Sequence, residues 1–283
     1  MTNEQKKQVR DALVRYASTF DTQALAAESL QGISASTISL VKNNNWELLS
    51  ERLWYHIARQ VGFYCGDWNE AGTNTNLLLR ILFSDAQHYA MTYGIAIGDG
   101  LGKTFTAGHY TREHDNVYYL SCSEEFNRRS FITALLNTAG IEEGKTVPVM
   151  MEQFTAFMGE KEDPLLILDD AHKLKDRVLH LVVLLSNSII GKAGIVIMGA
   201  DALRTRIVEG VRLKRVGFEE IYKSIGRRFI TLSSLGPKDV ELICRANGVY
   251  DDDVINHIKD ECKNDLHVAA RLIQQYTEMK AAA

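Results

Sequence analysis

Short apolar runs alternate with helical segments through the middle of the chain. The runs predict five strands, at residues 93–97, 117–122, 165–168, 195–198 and 229–232. Helices are expected to begin between them, near Lys103, Glu124, Ala171 and Asp201. Strands that alternate with helices form a parallel sheet covered on both faces. The pattern therefore predicts an α/β fold.

The first 62 residues have a helical pattern without strands. Within them, residues 23–45 have the layout of a helix-turn-helix, with small Ala27, a glycine in the turn, and Ile38 and Val41 seating the second helix on the first. A plain helical bundle with a serine cap is the alternative. Short hydroxyl donors at the start of the second helix are candidate DNA ligands. They are Ser34, Ser36 and Thr37.

Changes in pattern and composition suggest four parts of the chain. We expect a helical helix-turn-helix domain at 1–62, a linker rich in Gly, Asn and Asp at 63–75, a core at 76–235 and a helical lid at 236–283. The lid begins after Gly236-Pro237, where the strands stop, and its three amphipathic helices are expected at 237–247, 251–262 and 265–280.

The composition excludes several classes of protein. Hydrophobic residues make up 46% and charged residues 24% of the 283 positions, which argues against long disorder and fibrous repeats. The sequence has no apolar run of about 18 residues, the length that predicts a membrane span. The first residues also lack the pattern of a secretory signal. The four cysteines have no CxxC spacing, so neither a zinc site nor a disulfide framework is indicated. We therefore expect a cytoplasmic protein without a membrane partner.

The strongest chemical signal is a glycine-rich segment between the first strand and the first helix of the core. Its glycines let backbone N–H groups face a phosphate, Lys103 would reach the β- and γ-phosphates of ATP, and the Thr104 hydroxyl would bind Mg²⁺. The pattern GxxxxGK[ST] has its first glycine at the place of Ile97, whereas this chain has glycine one residue later. The residues expected to bind ATP through this P-loop are Gly98, Asp99, Gly100, Leu101, Gly102, Lys103 and Thr104.

An apolar strand that ends in two carboxylates follows about 65 residues later. Asp169 is expected to hold the Mg²⁺ shell beside the P-loop, and Asp170 to polarise the attacking water. Glutamate is usual at the second place. Because Asp170 is shorter by one methylene, slow hydrolysis is expected.

A five-stranded P-loop core followed by a small helical lid resembles the AAA+ superfamily, over about residues 76–280. The resemblance implies an arginine finger in residues 221–232, for which Arg227 and Arg228 are the candidates. It also implies a sensor-2 position at the start of the last helix. There His267 replaces the usual arginine, and Arg271 lies one turn later.

An N-terminal helix-turn-helix before a minimal AAA+ module is similar to the transposition ATPases of the phage Mu B, TnsC and IstB type. That resemblance implies ATP-dependent, largely sequence-independent binding of duplex DNA as a helical homo-oligomer. The DNA-bound ATPase would then select the transposition target and activate a transposase, and hydrolysis would release it.

The net charge of −4 means that a DNA-binding face must come from local patches. The candidates from placement are Arg128, Arg129 and Lys145. Two other functions remain open. One is a helicase loader or replication initiator with the same fold, and the other is a helix-turn-helix transcription regulator that uses ATP as a switch.

Overall fold

The computed structural model describes residues 3–18, 20, 22–30, 32–61, 68–232 and 235–282. The chain divides into two compact units, residues 1–68 and 69–283. Residues 63–67 of the expected linker, with Cys65 among them, lie outside the described residues. Among the described helices, none is long and apolar enough to cross a membrane.

The described part of the first unit contains four α-helices around one apolar core. They are α1 (Asn3–Ser18), α2 (Gln23–Glu28), α3 (Ala35–Lys42) and α4 (Glu51–Gln60). Trp54 of α4 is fully buried and meets the ring of Trp46 edge to face, with 5.6 Å between the ring centroids. Ile38 and Val41 of α3 are buried in the same core. A six-residue connection separates α2 from α3 and contains Gly32, at φ +69°.

The second unit is built on a five-stranded parallel sheet in the order β2-β3-β4-β1-β5. The predicted α/β fold is thus confirmed. Its elements in chain order are α5 (Asn74–Tyr89), β1 (Thr92–Ile97), α6 (Lys103–Glu113), β2 (Val117–Ser121), α7 (Arg128–Ala139), α8 (Val147–Gly159), β3 (Leu165–Asp169), α9 (Asp176–Ser188), β4 (Gly194–Gly199), α10 (Asp201–Arg212), α11 (Phe218–Ser224) and β5 (Phe229–Leu232). Three further helices complete the chain: α12 (Pro237–Ala246), α13 (Asp252–Cys262) and α14 (Leu266–Ala282).

Both faces of the sheet are covered by helices. Successive residues of a strand point to opposite faces. Leu166 and Leu168 of β3 therefore pack with α7 to α11, whereas Leu165 and Ile167 pack with α5 and α6. All five residues of β3 are buried, which explains why this strand is a continuous apolar run in the sequence.

Two helices begin later than the sequence pattern predicts, each for a local reason. Helix α7 begins at Arg128 instead of near Glu124, because Asn127 and Ser130 form a reciprocal capping box there. Helix α9 begins at Asp176, because residues 171–173 form a separate turn of 3-10 helix after Asp170. Helix α5 begins at Asn74, inside the segment expected as a linker, with the Thr73 side chain as its N-cap.

The lid helices are bonded directly to the start of the sheet unit. The buried Asp239 carboxylate accepts the backbone N–H groups of Asn74 and Gly236, at 2.9 and 2.8 Å. Asn69 and Asn247 exchange amide hydrogen bonds. These bonds fix α12 beside the first turn of α5.

The tightest packing of a helix on the sheet occurs at Gly194. A Cβ atom at this position would lie 2.1 Å from the backbone oxygen of Ala86 in α5. We expect Gly194→Ala to lower the free energy of unfolding by about 1–3 kcal/mol, because helix and strand must separate. Urea unfolding of the full chain measures this. The control is Gly108→Ala in α6, where nothing lies within 4 Å. It should be neutral or stabilising by about 0.5–1 kcal/mol, and equal losses in the two variants would contradict the close contact.

Candidate functional site

The turn between β1 and α6 has the backbone geometry that the glycine-rich motif requires. Gly100 and Gly102 adopt φ values of +72° and +83°, which disfavour any residue with a side chain. Helix α6 starts at Lys103, so its free N–H groups and the positive end of its dipole face the turn. Backbone donors and dipole together form a site suited to an anion.

Lys103 is held inside this turn. Its side chain is 5% exposed, and its ammonium group donates to the backbone oxygens of Ile97 and Gly98, both at 2.7 Å. The carboxylate of Asp99 lies 3.3 Å from the same nitrogen. Phosphate oxygens bound at the turn would replace these oxygens as acceptors of the ammonium group. The lysine is therefore already placed where it would neutralise a triphosphate.

Asp169, the last residue of β3, joins the sheet to the turn. Its side chain is fully buried, and its Oδ2 atom accepts the hydroxyl groups of Thr104 at 2.6 Å and Tyr119 at 2.9 Å. Its Oδ1 atom accepts the backbone N–H of Asp170 at 2.8 Å. Burial raises the pKa of this carboxyl group above its ordinary value, although the bonds from Thr104 and Tyr119 oppose the shift.

Tyr119 contacts the site through Asp169, and the sequence pattern did not reveal it. It lies in the middle of β2, where an aromatic residue in an apolar strand indicates only core packing. Parallel pairing places β2 beside β3, with Tyr119 opposite Ile167. Burial and the neighbouring Asp169 raise the pKa of the phenol well above its ordinary value, so its proton stays available for the bond.

Asp170 lies at the edge of the same site in a constrained conformation. Its φ of +55° is unusual for a residue with a side chain. Its carboxylate accepts a hydrogen bond from the ammonium of Lys173, one turn later, at 2.7 Å. Partial burial lowers the pKa of the Lys173 ammonium, but the bond and charge of Asp170 outweigh this effect and the net pKa is raised. The acid expected to polarise water is therefore paired with a cation.

The start of helix α14 lies against the turn. The backbone N–H of Leu266 donates to the oxygen of Gly100 at 2.8 Å, and a Cβ atom at Gly100 would lie 2.5 Å from Asp265 Oδ1. His267 is exposed, one residue after this contact, and Arg271 is exposed one turn later. The fold therefore brings the beginning of α14 to the P-loop, although the sensor-2 roles of the two side chains stay predictions.

The two arginine-finger candidates lie together in the turn between α11 and β5. Arg227 has φ +57° and forms an ion pair with Glu219 at 3.0 Å. Arg228 is exposed beside it. Arg227 is thus engaged within the chain, and the arginine-finger roles of both residues stay predictions.

The predicted DNA ligands belong to two separate groups. In the first unit, the hydroxyl of Ser34 bonds those of Ser36 and Thr37, at 2.7 and 2.9 Å, and caps α3. In the second, Arg129 pairs with Glu143 and donates to the backbone oxygen of Lys145 at 3.0 Å. The exposed side chain of Arg128 begins α7 beside this pair. Most of these donors are thus already engaged within the chain.

The donor set fits a hard divalent cation. The Thr104 hydroxyl and the Asp169 carboxylate are oxygen ligands of the kind that Mg²⁺ prefers, and the 2.6 Å between them shows that both reach one point. A buried carboxylate with a raised pKa is also stabilised as the anion by an adjacent cation. The site can therefore hold Mg²⁺ together with the phosphates of a nucleotide.

Comparison with known proteins places this geometry in a known fold. Residues 94–207, from β1 into α10, match the AAA domain family. No curated protein sequence matches the chain.

Three similar solved structures cover most of the chain at low identity. The ORC2 protein of Aeropyrum pernix, in ADPNP–ADP complexes, is 17% identical with a TM-score of 0.53, and the match covers 73% of this chain and 62% of that one. Cdc6p of Pyrobaculum aerophilum is 17% identical with a TM-score of 0.50, and the match covers 70% of this chain and 58% of that one. A RuvB mutant of Thermotoga maritima is 15% identical with a TM-score of 0.50, and the match covers 75% of this chain and 64% of that one. The chain thus matches less than two thirds of the length of each. The matched AAA domain, the sheet order and the turn around Lys103 thus agree on a P-loop α/β fold for the second unit.

Proposed function

We propose that the protein binds ATP with Mg²⁺, assembles in that state on duplex DNA, and selects a transposition target by activating a transposase. The observation that carries the proposal is a pair of hydrogen bonds from the Thr104 and Tyr119 hydroxyls to the Asp169 carboxylate. They lie beside the buried ammonium group of Lys103. A buried carboxylate is costly unless it is paired. Its place beside an anion-binding turn is best explained by a metal–nucleotide ligand.

The residues of the site divide the work of nucleotide binding and hydrolysis. The P-loop N–H groups and Lys103 would neutralise the phosphates, and Thr104 and Asp169 would hold Mg²⁺, which would supply positive charge beside the phosphates. Asp170 would orient the attacking water once the hydrogen bond between Lys173 and the Asp170 carboxylate is broken. An arginine from a neighbouring subunit, Arg227 or Arg228, would complete the site, and His267 and Arg271 would sense the γ-phosphate from the lid.

The DNA-related part of the proposal rests on the resemblance to transposition ATPases and on the order of the parts. A helical unit precedes the AAA domain, and a short helical lid follows it. We propose the division that the sequence pattern gives, with 1–62 and 76–235 joined by 63–75 and the lid at 236–283, except that the linker ends before Asn74, where α5 begins. Ser34, Ser36, Thr37, Arg128, Arg129 and Lys145 are the proposed DNA ligands. The A. pernix ORC2 structure with ADPNP and ADP supports nucleotide binding by this fold.

Lys103→Ala should abolish assembly on DNA, because it removes the cation that neutralises the phosphates. Electron microscopy of the purified chain with a non-hydrolysable ATP analogue and random-sequence plasmid should show filaments for the unaltered protein and none for the variant. Lys192→Ala, at an exposed lysine on the turn before β4, is the control and should form filaments normally. Filaments that form equally well without nucleotide would contradict the proposal. A stable complex with a helicase hexamer, or strong selectivity for one DNA sequence, would favour a loader or a transcription regulator instead.

Asp170→Asn should lower the rate of ATP hydrolysis by about 10²-fold or more, because general-base assistance is lost. ATP-driven assembly should persist, since the phosphate and Mg²⁺ ligands stay intact. Lys173→Gln should have the opposite effect and raise hydrolysis, because the carboxylate loses its cation partner. Steady-state phosphate release measures both rates. A Lys173→Gln variant slower than the unaltered protein would show that this lysine assists the reaction.

Tyr119→Phe should weaken the apparent affinity for Mg²⁺ several-fold, because Asp169 Oδ2 loses one of its two hydroxyl donors. Binding of ATP in EDTA should not change. Tyr118→Phe is the matched control, since the neighbouring phenol makes no hydrogen bond within the described part of the chain and packs on Phe157. Titration of MgCl₂ against ATPase rate distinguishes the two variants. Identical Mg²⁺ dependence in both would mean that Tyr119 only packs.

A further inference from the structure

Residues 212–216 comprise the last residue of α10 and most of its connection to α11, and all five side chains are exposed. The N–H of Arg215 donates to the oxygen of Gly210 at 2.9 Å, and the N–H of Lys214 to that of Val211 at 3.0 Å. These bonds form the Schellman pattern at the end of α10, with Lys214 at φ +52° in the place where glycine is usual. A lysine at this position is strained relative to glycine.

Three cations lie within four positions of this loop and are not neutralised. Arg212, Lys214 and Arg215 are exposed, and none of them forms an ion pair with any residue that the structure describes. Three other arginines of the second unit form ion pairs: Arg204 with Asp201, Arg206 with Asp176, and Arg245 with Glu241 and Asp252. Favourable contact with the end of the α10 dipole would account for one cation in the last turn, but not for three within four residues.

The segment around this loop has a net positive charge, whereas the whole chain has a net negative charge. Residues 203–228 contain eight Lys and Arg but three Asp and Glu, whereas the chain has a net charge of −4. Two apolar side chains stand among the cations, Leu213 at 53% and Val216 at 89% exposure. Such a surface is typical of one that a partner covers.

We propose that residues 212–216, called here the basic loop, bind the phosphate backbone of duplex DNA. Duplex DNA has one negative charge per about 1.7 Å of its axis, a density that matches three cations in four residues better than the scattered carboxylates of an acidic protein. The guanidinium groups of Arg212 and Arg215 can each donate two hydrogen bonds to one phosphate. The assignment rests on the proposed function and adds a contact that the earlier candidates Arg128, Arg129 and Lys145 do not include.

The test is the salt dependence of binding to a random-sequence duplex of 60 base pairs, with a non-hydrolysable ATP analogue and Mg²⁺. The variant combines Arg212→Gln, Lys214→Gly and Arg215→Gln. The control removes the same charge from engaged cations, through Lys161→Gln, Arg204→Gln and Arg245→Gln. Each lost phosphate contact lowers the slope of log K against log salt by about 0.9. We therefore expect a slope smaller by about two to three for the loop variant and an unchanged slope for the control.

Each outcome decides between the assignments. Equal slopes for the loop variant and the control would overturn the basic loop alone. A full-length protein that binds no duplex under any nucleotide condition would overturn the proposed function and the loop together. Competition by poly-glutamate as strong as that by DNA of equal charge would assign the loop to an acidic protein. Should the triple variant fail to fold, Lys214→Gly alone replaces it in the test, because glycine suits the left-handed backbone at this position. This single variant must lower the slope of log K against log salt by about 0.9.

Discussion

The buried carboxylate of Asp169 is the constraint on which the site depends. With no exposure to water, it is stable only because three donors surround it, from Thr104, Tyr119 and the backbone of Asp170. Those donors come from α6, β2 and the turn after β3. One charge therefore fixes the P-loop against the sheet, and a bound cation at the same point would strengthen the junction rather than disrupt it.

Much of the fold could be predicted from the sequence, because β3 and β4 are buried on both faces and so appear as apolar runs. The observed strands differ from the predicted ones by at most one residue at either end. The starts of α7 and α9 were wrong, because they depend on Asn127 as a cap and on the separate turn after Asp170. Capping of this kind is local side-chain geometry, which hydrophobic periodicity does not contain.

The site was partly predictable for a different reason. Lys103 and Asp169 belong to motifs whose spacing encodes their chemistry, and the fold brings them together through Thr104. Tyr119 could not be found, because its role comes from the pairing of β2 with β3 and not from its neighbours in sequence. The run of cations at 212–215 is visible in the sequence, but the lack of acidic partners among the described residues is a property of the folded surface.

The most direct measurement is thermal unfolding of the full chain with ATP and Mg²⁺, with ATP and EDTA, and with Mg²⁺ alone. If Asp169 and the P-loop form one metal–nucleotide site, ATP with Mg²⁺ must raise the melting temperature more than the other two conditions. Mass action gives about 2.7 kcal/mol of stabilisation at a hundred times Kd. A melting temperature that is the same in all three conditions at millimolar nucleotide would contradict the account.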